Sequence, residues 1–405
     1  MAGLGTSLEI SRRPTPRRTL DRCHLQPDLS PNSPRPRLSI STCSSPSACD
    51  RTRPIPNHPP STGAKQRCSW ASWMPGDPMN TASMSHSGTP SSVPSDGSMR
   101  GGRALTSADG AAEVLRLQQA HLVRTSRIYR PAALSQAPGL VILLHGAVGS
   151  GEEMAQLTGF DAHVDRLGWI AAYPDAHNPG PNGGWGAHAC CAQPGVDDVA
   201  FIRDLIDAVT TSYAIDRLHV YVAGFSRGGM MAYRLGCELA DRVAAIAVVA
   251  GNMSDRHGSI DALRCRPVAP VSLLAIHGTE DRNVPIAGGV GPDELAYFNE
   301  RPELKVVEDD LISYAPLTDV VAHWRRVNRC TETETLESST SSTIQRWRGP
   351  GGVSVELLSI IGGTHVWPGP AQSSGSPDAS VEASELIADF FIRHPRSEEI
   401  ARGIA

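Results

Sequence analysis

Residues 218–229 read LHVYVAGFSRGG and combine two local patterns. An apolar run with β-branched residues, typical of a buried strand, leads into a helix-like run from Gly228 to Leu239. A strand, a sharp turn and a helix in this order predict a nucleophile elbow, in which the G-x-S-x-G turn presents Ser226 above the end of the strand. Glycines are needed on both sides of the serine because a Cβ would clash where strand and helix approach closely. We therefore predict Ser226 as the nucleophile of an acyl-transfer reaction.

The first 110 residues differ in composition from the rest of the chain. They hold 15 of the 32 prolines, and their 13 Lys and Arg residues outnumber 7 Asp and Glu, whereas the remaining residues are net negative. Such a Pro/Ser/Arg-rich segment cannot bury enough apolar surface to offset its ordering entropy. We expect residues 1–110 to be a disordered tail, with a translation start further downstream as the alternative. No recognisable signal peptide is seen in this segment.

Residues 111–396 are long enough for one large catalytic domain, which leaves residues 397–405 as a short C-terminal tail. Apolar strand-like runs alternate with amphipathic helix-like runs, which predicts an α/β fold with a mostly parallel central sheet covered by helices on both faces. The strand-like runs are 122–129, 140–144, 169–173, 218–223, 244–249, 271–276 and 353–361, and the helix-like runs are 152–167, 196–213, 228–239, 316–328 and 382–393. No run reaches the ~18–20 apolar residues that span a bilayer, and the negative charge of this part argues against binding to nucleic acid.

Two polar motifs follow predicted strands, at the sheet edge where parallel sheets bind ligands. HGTED, residues 277–281, follows one strand, and GGTHVWPG, residues 362–369, follows the last. Together with Ser226 they give the order serine, acid, histidine of an α/β-hydrolase. We predict Asp281 as the acid and His365 as the general base.

Each motif contains a competing residue. His277 could replace His365 as the base, but it precedes the acid in the chain, which is the wrong order. Glu280 could replace Asp281, but a one-residue step turns a side chain well away. We favour Asp281 over Glu280 and interpret His277 as a structural histidine.

Backbone amides are expected to stabilise the oxyanion of the reaction. The two donors that we predict are the N–H groups of Arg227, which follows the nucleophile, and of Ala147, in the loop after the strand at 140–144. His145 precedes that loop position, and we interpret it as packing the loop.

The segments VILLHG, VDDVAFI, GFSRGGMMAYRLGCELADRVAAIAVVAG, HGTEDRNVPIAGG and GGTHVWPG resemble the secreted poly(3-hydroxybutyrate) depolymerase/feruloyl esterase family of α/β-hydrolases, over roughly residues 115–395. The resemblance implies serine-dependent cleavage of a small-molecule or polymeric carboxylic ester, outside the cell, without metal or organic cofactor. Ser226, Asp281 and His365 match the triad positions of the family. Thr364, in place of a third glycine, and Arg227, in place of a small polar residue, depart from its pattern.

Two tryptophans are candidates for contact with substrate. Trp185 lies in a Gly/Pro-rich loop, and Trp367 lies two residues after His365. We expect both indoles to flank an acyl or aromatic group near the serine. The alternative is that both only pack loops.

The predicted domain contains an odd number of cysteines, so at least one is free or bonds elsewhere. Their spacing leaves the pairing open and predicts no zinc site. These cysteines are Cys190, Cys191, Cys237, Cys265 and Cys330.

Two other functions share parts of this pattern. An α/β-hydrolase peptidase would use the same triad, and a hydrolase-fold binding protein would use none. No segment resembles a peptide-anchoring domain, and all three triad candidates are present, so a serine esterase is the favoured function.

Overall fold

A computed structural model describes residues 110–147, 149–177, 184–187, 193, 195–255, 265–300, 311–372 and 374–398 of the chain. Apart from Gly110, the predicted tail over residues 1–110 lies outside these described residues. Residues 399–405 of the predicted C-terminal tail lie outside them as well. The domain boundaries therefore stay predictions.

The strands of the described residues form one ten-stranded sheet in the order β1-β2-β4-β3-β5-β6-β7-β10-β9-β8. The strands are β1 (Ala111–Gln119), β2 (Leu122–Arg130), β3 (Leu140–Leu144), β4 (Ile170–Pro174), β5 (Val220–Phe225), β6 (Ala245–Val249), β7 (Ser272–Gly278), β8 (Glu332–Ser338), β9 (Ser342–Arg348) and β10 (Ser354–Ile360). The six central strands, from β4 to β10 in that order, are parallel to one another. Antiparallel strands extend both edges.

Helices cover both faces of this sheet. They are α1 (Gly151–Thr158), α2 (Phe160–Leu167), α3 (Asp198–Tyr213), α4 (Arg227–Glu238), α5 (Pro292–Asn299), α6 (Leu317–Val327) and α7 (Ala383–Arg393). Because successive side chains of a strand point to opposite faces, the central strands supply two separate cores. On β3, Leu140 and Ile142 pack with α3, α4 and α6, whereas Val141 and Leu143 pack with α1, α2 and α7.

This arrangement confirms the predicted α/β-hydrolase fold. Five of the six central strands are buried along their whole length, and β10 is buried except at Ser359. Their sequences are therefore mainly apolar runs rather than alternating ones, which is why the runs were recognisable.

Local details differ from the prediction at two helical regions and at the sheet edges. Helix α5 was not predicted. The run predicted as a single helix over 152–167 is two helices, because Gly159 adopts a left-handed φ of 56° and ends α1. Strands β1, β8 and β9 were not predicted. They lie at the edges, where polar side chains face solvent and the apolar signal is weak.

A disulfide bond joins Cys237, near the end of α4, to Cys265, in the segment that leads to β7. It therefore links the helix after Ser226 to the strand before Asp281. Cys330 is buried as a free thiol, and burial raises its pKa to about 11. Cys190 and Cys191 lie outside the described residues.

Within the described ranges, no helix combines the length and the apolar character needed to cross a membrane.

Replacing both bridged cysteines, Cys237→Ser with Cys265→Ser, should lower the free energy of unfolding. A bridge across 28 residues restricts the unfolded chain and is worth about 3–4 kcal/mol on the chain-entropy model. Urea unfolding without reductant measures the loss. The single variants are controls, because each already breaks the bridge and should lose nearly as much. A double variant as stable as the wild type would contradict this assignment.

Candidate active site

Ser226 lies at the tight turn between β5 and α4. Its φ of 52° and ψ of −117° are strained for a residue with a side chain. A Cβ on Gly224 would lie 2.2 Å from the carbonyl oxygen of Gly228, and a Cβ on Gly228 would lie 2.1 Å from that of Leu144. The Ser226 N–H donates to the carbonyl of Val249, at 2.9 Å, on the neighbouring strand. The two glycines thus let α4 approach β3 and β5 closely enough to hold the strained serine at the sheet edge.

His365 connects the serine to a carboxylate. Its Nε2 lies 2.9 Å from Ser226 Oγ, and its Nδ1 lies 2.8 Å from Asp281 Oδ2. With its proton on Nδ1, the imidazole donates to the carboxylate, and the free Nε2 lone pair accepts the hydroxyl proton of the serine. An imidazole oriented in this way can take the proton of Ser226 as the serine attacks a carbonyl.

Asp281 is buried and held by backbone amides. Its Oδ1 accepts the N–H groups of Asn283, at 2.9 Å, and Val284, at 2.8 Å. Burial opposes ionisation and is the largest single effect, but His365, His277 and the Val284 amide together outweigh it and lower the pKa of Asp281 below its usual value. The Asp281 carboxylate is therefore ionised while it accepts the hydrogen bond from the Nδ1–H of His365.

His277 does not reach the serine. It is buried, and its Nε2 donates to the carbonyl of Val284 at 2.7 Å and lies 3.5 Å from Asp281 Oδ2. Burial lowers its pKa, so the imidazole is neutral in this setting. His277 thus braces the turn that carries Asp281, in agreement with its interpretation as a structural histidine.

The side chain of Glu280 is exposed, and this residue contributes to the site only through its backbone. Its N–H donates to the carbonyl of Gly363, at 2.9 Å, in the histidine loop. A Cβ on Gly278 would lie 2.3 Å from the same carbonyl, so the two loops touch through their backbones. This close contact brings Asp281 and His365 together and leaves the Glu280 side chain outside.

A cavity of about 410 Å³ opens beside the serine. Its described lining is mainly apolar, with polar groups at a few points, as in ligand sites generally. The lining includes Met154, Leu157, Met230, Val284, Ile312 and Tyr314 together with Ser226, His365, Glu153, Asn283, Ala147 and Arg227. The two predicted oxyanion donors, Ala147 and Arg227, thus share the cavity with the nucleophile, but their role as donors stays a prediction.

Trp185 and Trp367 occupy positions other than those expected of substrate contacts. Both are buried, and neither lines the cavity. The indole N–H of Trp185 donates to the carbonyl of His145, at 3.0 Å, and that of Trp367 donates to Ser384 Oγ, at 3.0 Å. Their positions therefore do not support the expectation of substrate contact, and both indoles instead fix the loops that surround the site.

Two buried carboxylates near the site were not predicted. Asp378 Oδ2 accepts both the N–H and the hydroxyl of Thr364, at 3.1 and 3.2 Å, next to His365. Asp198 pairs with Arg124 at 2.7 Å. The departure at Thr364 was a visible signal for the first contact. Asp378 lies in a short 3-10 helix and Asp198 begins α3, and sequence spacing alone connects neither carboxylate to its partner.

No group of three or more His, Cys, Asp or Glu side chains in the described ranges is arranged to hold a metal ion. The absence of a cofactor stays a prediction.

Comparison with known proteins places the chain among esterases. Residues 125–277 match the family model described as Esterase PHB depolymerase. "Putative esterase NocK" from Nocardia uniformis subsp. tsuyamanensis is 29% identical over 290 residues, which cover 66% of this chain and 79% of that protein. Feruloyl esterase B from Piromyces equi is 31% identical over 232 residues, which cover 57% of this chain but 40% of that protein.

Among solved structures, the acetyl xylan esterase from Aspergillus awamori aligns with a TM-score of 0.46 and 16% identity, covering 67% of this chain and 99% of that one. The residues matched by the family model include the motif around Ser226 and end before Asp281. These similarities support the PHB depolymerase/feruloyl esterase family of hydrolases for this chain, and with it the activity of a carboxylic ester hydrolase.

Proposed function

We propose that the protein hydrolyses carboxylic esters through an acyl-enzyme on Ser226, with His365 as general base and acid and Asp281 as the acid of the triad. The single observation that carries this proposal is the continuous hydrogen-bonded path from Asp281 Oδ2 through the imidazole to Ser226 Oγ, at the wall of a cavity. Each member of the path comes from a different strand end.

The reaction follows from this geometry in two halves. His365 Nε2 takes the proton of Ser226 Oγ as the oxygen attacks the ester carbonyl, and Asp281 stabilises the imidazolium. The tetrahedral intermediate collapses when Nε2 returns the proton to the leaving alkoxide, which departs as an alcohol. Water then attacks the acyl-enzyme with the same base, and the carboxylic acid leaves.

The oxyanion of both intermediates would be bound by the N–H groups of Ala147 and Arg227. Arg227 is the first residue of α4, so its N–H lies at the N-terminal end of this helix. Such a donor also lies at the positive end of the helix dipole, which favours a developing negative charge.

The cavity is suited to an ester with an apolar acyl or alcohol part. Its volume of about 410 Å³ lies in the range of small-ligand sites. The relatives are named for feruloyl, acetylxylan and polyhydroxybutyrate esters, and we propose a hydroxycinnamate or short hydroxyalkanoate ester as the substrate class. Extracellular action is proposed on the same resemblance, and the disulfide between Cys237 and Cys265 is compatible with an oxidising compartment.

The substrate class is tested with p-nitrophenyl acetate, methyl ferulate, a hydroxybutyrate oligomer and a p-nitroanilide matched to the best ester. The esters should turn over and the anilide should not. Ser226→Ala is the inactive control, with a loss on the order of 10⁴-fold or more. Preferential cleavage of the anilide would indicate a peptidase, and an active Ser226→Ala variant would remove the elbow from the mechanism.

Substitution of the two neighbouring acids should separate their roles. Asp281→Asn removes the charge that orients and stabilises the imidazolium and should lower kcat on the order of 10⁴-fold. Glu280→Gln is the matched control, because that side chain is exposed and should leave kcat within about two-fold. Steady-state hydrolysis of p-nitrophenyl acetate gives both values, and the opposite ranking would assign the acid to Glu280.

A further inference from the structure

The peptide unit between Gly146 and Ala147 is held from its carbonyl side. His145 Nδ1 donates to the Gly146 carbonyl at 2.7 Å, within the same turn. The Ala147 N–H belongs to this same peptide unit, and a peptide unit is planar with its N–H opposite its C=O. Fixing the direction of the carbonyl therefore fixes the direction of the amide that the proposed function uses as an oxyanion donor.

The tautomer of His145 is itself determined by a contact on the other ring nitrogen. The N–H of Ala176 donates to His145 Nε2 at 3.0 Å, so Nε2 must carry a lone pair and Nδ1 must carry the proton. The ring is buried, and burial lowers the pKa of His145, which keeps it neutral. In this state the imidazole is a fixed donor toward Gly146.

Trp185 holds the preceding peptide unit. Its indole N–H donates to the His145 carbonyl at 3.0 Å, and its ring lies 5.3 Å from the imidazole, between centroids. The indole is fully buried, so both its packing and its hydrogen bond are protected from water. Successive carbonyls, of residues 145 and 146, thus each have a buried side-chain donor.

The loop segment that carries Trp185 is anchored in turn to a buried ion pair. The N–H of Gly186 donates to Asp198 Oδ2 at 2.8 Å, and Asp198 Oδ1 pairs with Arg124 at 2.7 Å. The guanidinium also lies 4.0 Å over the ring of Phe201. Both charged groups are almost completely buried, and a buried, well-partnered pair of this kind favours one geometry because any displacement leaves a charge unpaired.

We infer that His145 and Trp185 are positioning residues that orient the Gly146–Ala147 peptide, so that its N–H points at the oxyanion during acyl transfer. The inference rests on the proposed function, because it assigns a purpose to the Ala147 amide in that reaction. It gives Trp185 a role through the oxyanion loop (residues 145–147), not through contact with substrate. It also assigns a role to Asp198 of the VDDVAFI segment, which anchors the backbone next to Trp185.

The test uses the full chain and three conservative variants. Trp185→Phe keeps an aromatic ring and loses the N–H, His145→Leu loses the donor toward Gly146, and His145→Asn retains a donor near the Nδ1 position. Removal of one oxyanion donor lowers kcat by about 10²–10³-fold, and small displacements of catalytic groups also lower kcat. We therefore expect kcat for p-nitrophenyl acetate to fall about 100-fold in His145→Leu and about 10-fold in Trp185→Phe. His145→Asn should recover part of the loss, and KM should change less than about three-fold in all three.

A second readout separates positioning from general loosening of the fold. Trifluoroacetophenone forms a tetrahedral adduct with a serine nucleophile, so its inhibition constant should rise in each variant by about the same factor as kcat/KM falls. Trp324→Phe is the matched control. Trp324 is equally buried, on α6, and its indole nitrogen has no hydrogen-bond partner in the described part of the chain, so this variant should keep kcat within about two-fold.

Each outcome decides the matter. Unchanged kcat in both Trp185→Phe and His145→Leu, a loss carried by KM, or an inhibition constant that does not follow kcat/KM would overturn the inference. If His145→Leu does not fold, Trp185→Phe and His145→Asn still give the comparison. Wild-type protein that neither turns over the ester nor binds the ketone would instead remove the proposed function itself.

Discussion

Helix α4 approaches strands β5 and β3 so closely at Ser226 that no side chain fits at Gly224, on β5, or at Gly228, which faces the end of β3. This contact forces the positive φ of the serine, and the buried strands and helices on both sides must supply the energy that keeps it. As a result, the hydroxyl of Ser226 projects beyond the end of the sheet, and the first residues of α4 lie next to it. The disulfide from Cys237 on α4 ties the same helix to the segment before β7. The position of the nucleophile thus depends on backbone packing more than on any side-chain contact.

The acid and histidine loops follow the same principle. They meet through the backbones of Gly278 and Gly363, and the N–H of Gly362 also donates to Thr279 Oγ1 at 2.8 Å. Asp378 fixes the far side of the histidine loop through the backbone and hydroxyl of Thr364. The three groups of the proposed triad follow the ends of three strands. The spacing of the parallel strands therefore sets the distances between these groups, and short loops maintain them.

The sequence allowed the central sheet and the site to be predicted because both leave local signals. Buried parallel strands give continuous apolar runs, and the elbow is defined by glycines next to Ser226 within six residues. The functions of Trp185 and Trp367 left no such signal, because an indole in a loop can face a cavity or a neighbouring hydrogen-bond acceptor with the same flanking sequence. The pairing of Arg124 with Asp198 joins residues 74 apart, and only the folded sheet brings them together.

The central claim is that Ser226 becomes acylated during turnover, and rapid acid quench of the reaction with p-nitrophenyl acetate measures this directly. Trypsin cleaves after Arg217 and Arg227, so the nucleophile lies in the single peptide Leu218–Arg227. We expect this peptide to gain the mass of one acetyl group transiently and to lose it when substrate is exhausted, and we expect no gain in Ser226→Ala. Turnover without acylation of this peptide, or acylation at another position that follows the kinetics, would contradict the account.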